Sequence, residues 1–218
     1  MRTPKEIYRE YRIMPNLQLH QLRVAAVAKI ISDNFTVPIN AHDVILACLF
    51  HDMGNILKSD LTTFPEFLEP EGRDYWEKVK ADCISKYGTN AHEGNVAISR
   101  ELKLSPEVTR YIDGMSFSGM NKTAEGESFE QKICEYADMR VGPYGILSMQ
   151  ERLAEARARY VAANSAKPYY SEKGFEELAG FAQEIERQIF EHASIKPGAV
   201  TDDAVAPLIE ELSEYAVA

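Results

Sequence analysis

The sequence predicts an all-α chain, and three observations carry that prediction. Apolar residues recur at three- and four-residue spacing through most of the 218 residues, the period of a helix with one buried face. Asn, Ser and Pro stand where such stretches begin and Gly where several end, the residues that cap and stop helices. No segment of useful length alternates apolar and polar residues as a half-buried strand does.

In chain order, Pro4 to Tyr11 forms a short first helix. Leu17 to Phe35 follows, with Val24, Val27, Ile30 and Ile31 along one stripe. After a loop containing Pro38, Asn40 is an N-cap for a helix that runs through Val44, Ile45, Cys48 and Leu49 to His51 and Asp52, ending at Gly54. A linker with Pro65 and Pro70 leads to a helix over about Arg73 to Lys86, closed by Gly88. Asn90, with Glu93 three residues on, reads as a capping box for a helix through Leu102. Ser105-Pro106-Glu107 places a cap and an N1 proline before a helix ending near Gly114. Ser116 to Glu127 is polar and glycine-containing and reads as a loop. Glu130 to about Val141 is helical up to Gly142-Pro143, and two long charged helices follow, about Ser148 to Ala163 and Glu172 to Ala193. The segment after Pro197 holds one short helix over Val205 to Tyr215.

Composition bounds the function classes. The net charge of −10, from 34 acidic and 24 basic residues, repels nucleic-acid backbones and anionic membranes, so neither is an expected partner. An anionic small molecule needs local cations, helix N-termini or a metal to bind such a chain. No apolar run approaches the length of a membrane span, and the charged start MRTPKEIYREYR is unlike a secretory signal. Cys48, Cys83 and Cys134 are three in number and lack CxxC spacing, which suits free thiols in a reducing cytoplasm.

A few polar residues fall on the apolar faces. His20 lies four, seven and eleven residues before Val24, Val27 and Ile31, so it shares their stripe. Asp52 lies seven, four and three residues after Ile45, Cys48 and Leu49; Asp138 lies four after Cys134 and three before Val141. An ionised carboxylate pointing inward without a partner is costly. The residues by themselves leave two solutions open: a divalent cation shared between these groups, or a hydrogen-bonded core histidine with Asp52 in an ion pair to Lys29 or Lys58.

Three stretches in order resemble a known family. Leu19-His20-Gln21-Leu22-Arg23-Val24-Ala25, Leu49-Phe50-His51-Asp52-Met53-Gly54-Asn55 and Tyr136-Ala137-Asp138-Met139-Arg140 are similar to the His, His-Asp and Asp motifs of the HD superfamily of metal-dependent phosphohydrolases, over about residues 16 to 141. The resemblance implies a helical bundle with a metal between core helices. It implies one HD-type domain over 1–195, with the helices of 148–193 packed on it and 196–218 as a tail. It also implies one divalent ion (Mn, Co, Fe, Ni, Zn or Mg) held by His20, His51, Asp52 and Asp138. Ala91-His92-Glu93-Gly94-Asn95-Val96-Ala97 is similar to a histidine-bearing helix start that in relatives contacts phosphate or a second metal; a first-turn histidine also sits where helix N–H groups favour anions.

Two departures qualify the match. Many relatives follow His-Asp-x-Gly with Lys or a carboxylate, where this chain has Asn55. Two-metal relatives carry further histidines where this chain reads Asp113-Gly114-Met115-Ser116, so one metal is expected. The implied activity is hydrolysis of a phosphate ester or anhydride of a small metabolite, a nucleotide foremost, with Asp52 also activating water and Arg23, Lys58, His92 and Arg140 as candidates to hold phosphate. Arg23 and Arg140 serve equally as surface ion pairs, and His42 and His192 have no assigned role. The alternatives are an iron-dependent HD-type oxygenase and a non-catalytic regulatory module. The charged helices from Ser148 to Ala193 are candidates to close the pocket or to form a homodimer interface.

Overall fold

The computed structural model describes residues 2–162 and 171–217, with side chains of the 149–162 helix described up to Arg157. Its α-helices are α1 (Pro4–Glu10), α2 (Pro15–Asp33), α3 (Ala41–Phe50), α4 (Arg73–Tyr87), α5 (Ala91–Glu101), α6 (Pro106–Gly114), α7 (Met120–Glu125), α8 (Phe129–Arg140), α9 (Met149–Ala162), α10 (Glu172–Glu191), α11 (Asp202–Val205) and α12 (Leu208–Ser213). Among the described residues no strand forms, and β pairing is confined to isolated bridges such as Arg2 with Val217.

The starts of these helices obey local chemistry. Asn40 accepts from the Asp43 N–H at 3.2 Å, and Ser105 accepts from the Val108 N–H at 3.1 Å. At α5 the Asn90 carbonyl oxygen accepts from the N–H groups of both His92 and Glu93, at 3.0 and 3.4 Å. The Glu93 carboxylate answers to the Asn90 side-chain amide at 3.0 Å, where the expected box would use the Asn90 backbone N–H.

α2 is the central rod. Val24 to Ala28 are all buried, three alanines and two valines whose side chains stay close to the axis, which lets α3, α8 and α12 approach it closely. α3 also packs on α6 and α8, and α5 leans on α6. The Tyr8 hydroxyl donates to the Leu49 carbonyl at 2.6 Å, tying α1 to the end of α3. A smaller apolar cluster of Met14, Ile56, Leu61, Leu68, Trp76 and Val79 anchors the 55–72 linker under α4.

Three expectations are corrected. Residues 116–127 are not all loop: a 3-10 turn over Phe117–Gly119 runs into α7, because Met120, Thr123 and Ala124 face inward and α7 packs on α10. One turn of burial leaves no periodicity to read in sequence. The last helix is broken in two, α11 and α12, at Pro207, which supplies no N–H to carry the helical hydrogen bonds across the junction. Residues 196–217 contribute Val200, Val205, Leu212 and Val217 to the same apolar core as α1, α2 and α10, and the Val217 N–H reaches the Arg2 carbonyl at 3.0 Å. α10 starts as expected and ends at Glu191; the end of α9 expected at Ala163 lies outside the described residues. All three cysteines are free thiols, Cys48 and Cys134 buried. No described helix is long and apolar enough to cross a membrane.

Candidate metal centre

Three elements converge on one point. His20 comes from the second turn of α2, His51 and Asp52 from the turn that closes α3, and Asp138 from the last turn of α8. The His20 Nε2 lies 3.6 Å from the Asp52 Oδ2 and 3.1 Å from the Asp138 Oδ1. The His51 Nε2 lies 3.6 Å and 3.5 Å from the same two atoms. Donor atoms each about 2.1 Å from one ion stand about 3 Å apart at right angles, so these separations suit a shared ion. One ligand atom from each of His20, His51 and Asp52 lies within 4.8 Å of the other two.

The decisive detail is at His51, whose side chain is 3% exposed. Its Nδ1 is 2.8 Å from the Cys48 carbonyl oxygen; a carbonyl only accepts, so Nδ1 carries the proton and donates. In the neutral ring the Nε2 is therefore a lone pair, and it is buried with no hydrogen-bond partner. A buried nitrogen lone pair facing two carboxylates requires a proton or a cation. Burial opposes the imidazolium, yet the Asp52 and Asp138 charges outweigh it and lift the His51 pKa to about 9. Burial likewise resists an ionised Asp138, but the His20 ring at 3.1 Å and the charges of His51 and His20 hold its carboxyl well below the usual range. The cluster thus stores one proton where an ion would sit, the behaviour of metal ligands that release protons on loading. Two imidazoles and two carboxylates suit Mn, Fe, Co, Ni or Zn, with Mg admitted by the oxygen share.

Neighbours that sequence reasoning missed hold these ligands. Gln21 is fully buried, and its Oε1 accepts from the Asp52 N–H at 3.2 Å; its one sequence signal was a glutamine three residues before Val24. The Asn95 Oδ1 accepts from the Gly54 N–H at 2.5 Å. A Cβ on Gly54 would lie 2.9 Å from that oxygen, 3.0 Å from the Asn95 nitrogen and 3.1 Å from the Ala91 carbonyl, so glycine lets α5 close on the doublet. Glu135, one turn before Asp138, is buried, its pKa pushed up to about 8 by burial and by the Asp138 charge. It accepts from the Ser116 N–H at 3.0 Å and so fixes the 115–118 segment.

His20, His51, Asp52 and Asp138 line a cavity of about 690 Å³, within the roughly 300–1,000 Å³ of small-molecule sites. Asn55, Lys58 and His92 stand on its wall, as do Phe117 and, from α9, Arg152. Asn55 keeps a buried side-chain oxygen without a partner. Lys58 is exposed. The His92 Nε2 donates to the Asp113 Oδ1 at 2.8 Å, both side chains about half-exposed; Asp113 thus stands beside His92 where two-metal relatives place histidines. Lys29 pairs with Asp33 at 2.9 Å rather than with Asp52.

Two phosphate candidates lie elsewhere. Arg23 is half-buried on α2 and does not line the cavity. Arg140 is 3% exposed and spent on structure: it donates to the carbonyls of Leu147, Pro197 and Val200 and to the Tyr136 hydroxyl. Its proximity to Asp138 in sequence misled, because the last turn of α8 aims position 140 away from position 138. His42 pairs with the Tyr215 hydroxyl at 2.8 Å, and His192 packs on Phe35 and Phe129.

The HD domain family model matches residues 18–139, more than half of the chain. The protein belongs to the HD domain family. The matched span contains His20, His51, Asp52 and Asp138 and ends one residue after the last of them. No curated protein and no solved structure matches the chain. HD domains bind divalent metal ions and are in general hydrolases, and in this HD domain the His20, His51 and Asp52 cluster is arranged to hold such an ion.

Proposed function

We propose that this HD domain protein is a phosphohydrolase that cleaves a phosphate ester or anhydride of a small metabolite, with nucleotides as the first class to examine. The observation that carries the reading is the buried, partnerless Nε2 of His51 facing two carboxylates, the mark of a ligand set rather than of a packed core. His20, His51, Asp52 and Asp138 would hold the metal. Bound there, a divalent ion supplies a water of near-neutral pKa and polarises a phosphoryl oxygen.

The chain's own residues account for the rest. Asp52, 17% exposed and lining the cavity, would orient an attacking water and accept its proton. Lys58 and His92 on the wall supply donors for phosphate oxygens, beside the positive end of α5. Asn55 offers an amide, so water activation rests on Asp52 rather than on the position four residues after His51. The net charge of −10 disfavours polyanionic nucleic acid, which leaves small phosphorylated substrates. The site is built within one chain, and a homodimer is compatible with it.

The test is anaerobic phosphate release from a panel of nucleotides, sugar phosphates and p-nitrophenyl phosphate, with Mn²⁺, Co²⁺ or Mg²⁺ added. Release by wild type and its loss in His51→Ala is the expected result. Turnover that required iron and consumed oxygen would replace this reading with the oxygenase one, and inactivity across the panel with saturating metal would favour a regulatory module.

A further inference from the structure

The HD motif residues supply an acidic, metal-binding floor, and a dianionic phosphate brought there needs fixed positive charge as well. Arg140 is consumed by backbone carbonyls and Arg23 lies off the cavity, so among the described lining residues the fixed cations are Lys58 and Arg152. Lys58 is exposed. Arg152 differs in three ways.

Its side chain is only 15% exposed, a costly position for a charge unless it is paired. Its Nη1 donates to the Glu155 Oε2 at 2.5 Å, which occupies one side of the guanidinium. Its Nε–H, on the other edge, is buried and has no acceptor. That edge, Nε with Nη2, is the one that grips two oxygens of a carboxylate or phosphate side-on.

The helix that carries it is also held firmly. Ser148 and Glu151 cap α9 reciprocally: the Glu151 N–H donates to the Ser148 Oγ at 3.2 Å, and the Ser148 N–H donates to the Glu151 Oε2 at 2.8 Å. Met149, Leu153 and Ala156 are buried, and Arg140 fastens the Leu147 carbonyl just before the helix. A tight turn, with the Gly142 N–H on the Gly145 carbonyl at 2.8 Å, folds α9 back from the end of α8 so that Arg152 faces the centre that Asp138 helps to build.

We propose that Arg152 is a substrate-binding residue of this site, its free guanidinium edge taking two oxygens of the substrate's phosphate opposite the His20–His51–Asp52–Asp138 floor. The assignment rests on the phosphohydrolase reading, and it makes α9, outside the span matched by the family model, part of the binding site. Because the donor is already buried and oriented, little freedom is lost on binding.

The test is calorimetric titration of inorganic phosphate into Mn²⁺-loaded wild type, Arg152→Gln and Arg152→Lys, with Mn content and melting temperature measured on each. Arg152→Gln should keep its Mn and lose on the order of 10- to 100-fold in phosphate affinity, the size of one charge-assisted contact. Arg152→Lys, which keeps the charge and loses the fork, should fall between. Wild type that binds phosphate while Arg152→Gln binds it equally well overturns this assignment and leaves the phosphohydrolase reading standing. Wild type that neither binds phosphate nor hydrolyses any phosphoester overturns both. If Arg152→Gln folds poorly, Arg152→Lys decides the matter, since wild-type affinity there shows that no side-on grip exists.

Discussion

Gly54→Ala isolates one physical claim, that the glycine after His51-Asp52 exists to let α5 approach. The backbone at Gly54 has φ −95° and ψ 5°, which any residue adopts, so no strain follows from conformation. Space decides instead. The added Cβ would meet the Asn95 Oδ1 at 2.9 Å, the Asn95 nitrogen at 3.0 Å and the Ala91 carbonyl at 3.1 Å, and two of those three atoms are backbone and cannot rotate away. α5 must move by several tenths of an ångström, which as overpacking costs about 1–3 kcal/mol. The Gly54 N–H bond to Asn95 lengthens as α5 moves, adding about 1 kcal/mol. The total of about 2–4 kcal/mol corresponds to roughly 4–16 °C in melting temperature for a chain of this size. Thermal denaturation of the metal-free protein, followed by circular dichroism, reads it directly. A shift below about 2 °C would refute the steric argument, and an unchanged stability with lost metal would show that Gly54 serves the ligands rather than the packing.

Further outcomes follow from the same geometry. Purified without chelator, the protein should hold close to one divalent transition metal per chain, and His51→Ala or Asp138→Ala should reduce this to background by elemental analysis; equal content in all three would remove the centre. Because the metal displaces a proton from a His51 whose pKa is about 9, apparent metal affinity should rise about tenfold per pH unit from about pH 7 to 9 and then level off. The sign for folding is opposite: the raised His51 pKa stabilises the metal-free fold at low pH, and that stability is lost as pH rises through about 9. A flat affinity in chelator competition contradicts this. Arg140→Met strips donors from the Leu147, Pro197 and Val200 carbonyls and should cost about 2–5 kcal/mol in denaturant unfolding with metal content retained; loss of metal with stability intact would reinstate it as a site residue. His92→Ala should keep its metal and lose roughly 10- to 150-fold in kcat/KM if His92 holds phosphate, whereas loss of a metal equivalent would make it a ligand.

The helical fold was legible in sequence because it depends on local spacing; spacing also turned His20, Asp52 and Asp138 inward, while the set of four with His51 came from the HD resemblance. A histidine on the stripe of Val24, Val27 and Ile31 points inward wherever α2 packs, and an Asn40 or Ser105 cap needs only its own next three residues. Long periodic helices such as α2 and α10 therefore came out within two residues of their ends. α7 did not, since a single turn whose inward residues are Met120, Thr123 and Ala124 carries no period, and its burial is created by α10 from some fifty residues downstream.

The same distinction sorts the cations. Arg23 and Arg140 stand beside ligands along the chain, but which side of a helix faces the cavity depends on the neighbours it packs against, and those come from distant segments: Pro197 and Val200 claim Arg140. Arg152 lies fourteen residues past Asp138 with no motif to mark it, and only the turn at Gly142–Gly145 returns α9 to the site. Sequence spacing by itself determined which residues point inward from one helix and hence what could bind a metal. Which inward-pointing groups meet, which lone pair is left without a partner at His51, and which guanidinium reaches the cavity were decided by tertiary packing, because those are distances between helices and no single helix contains them.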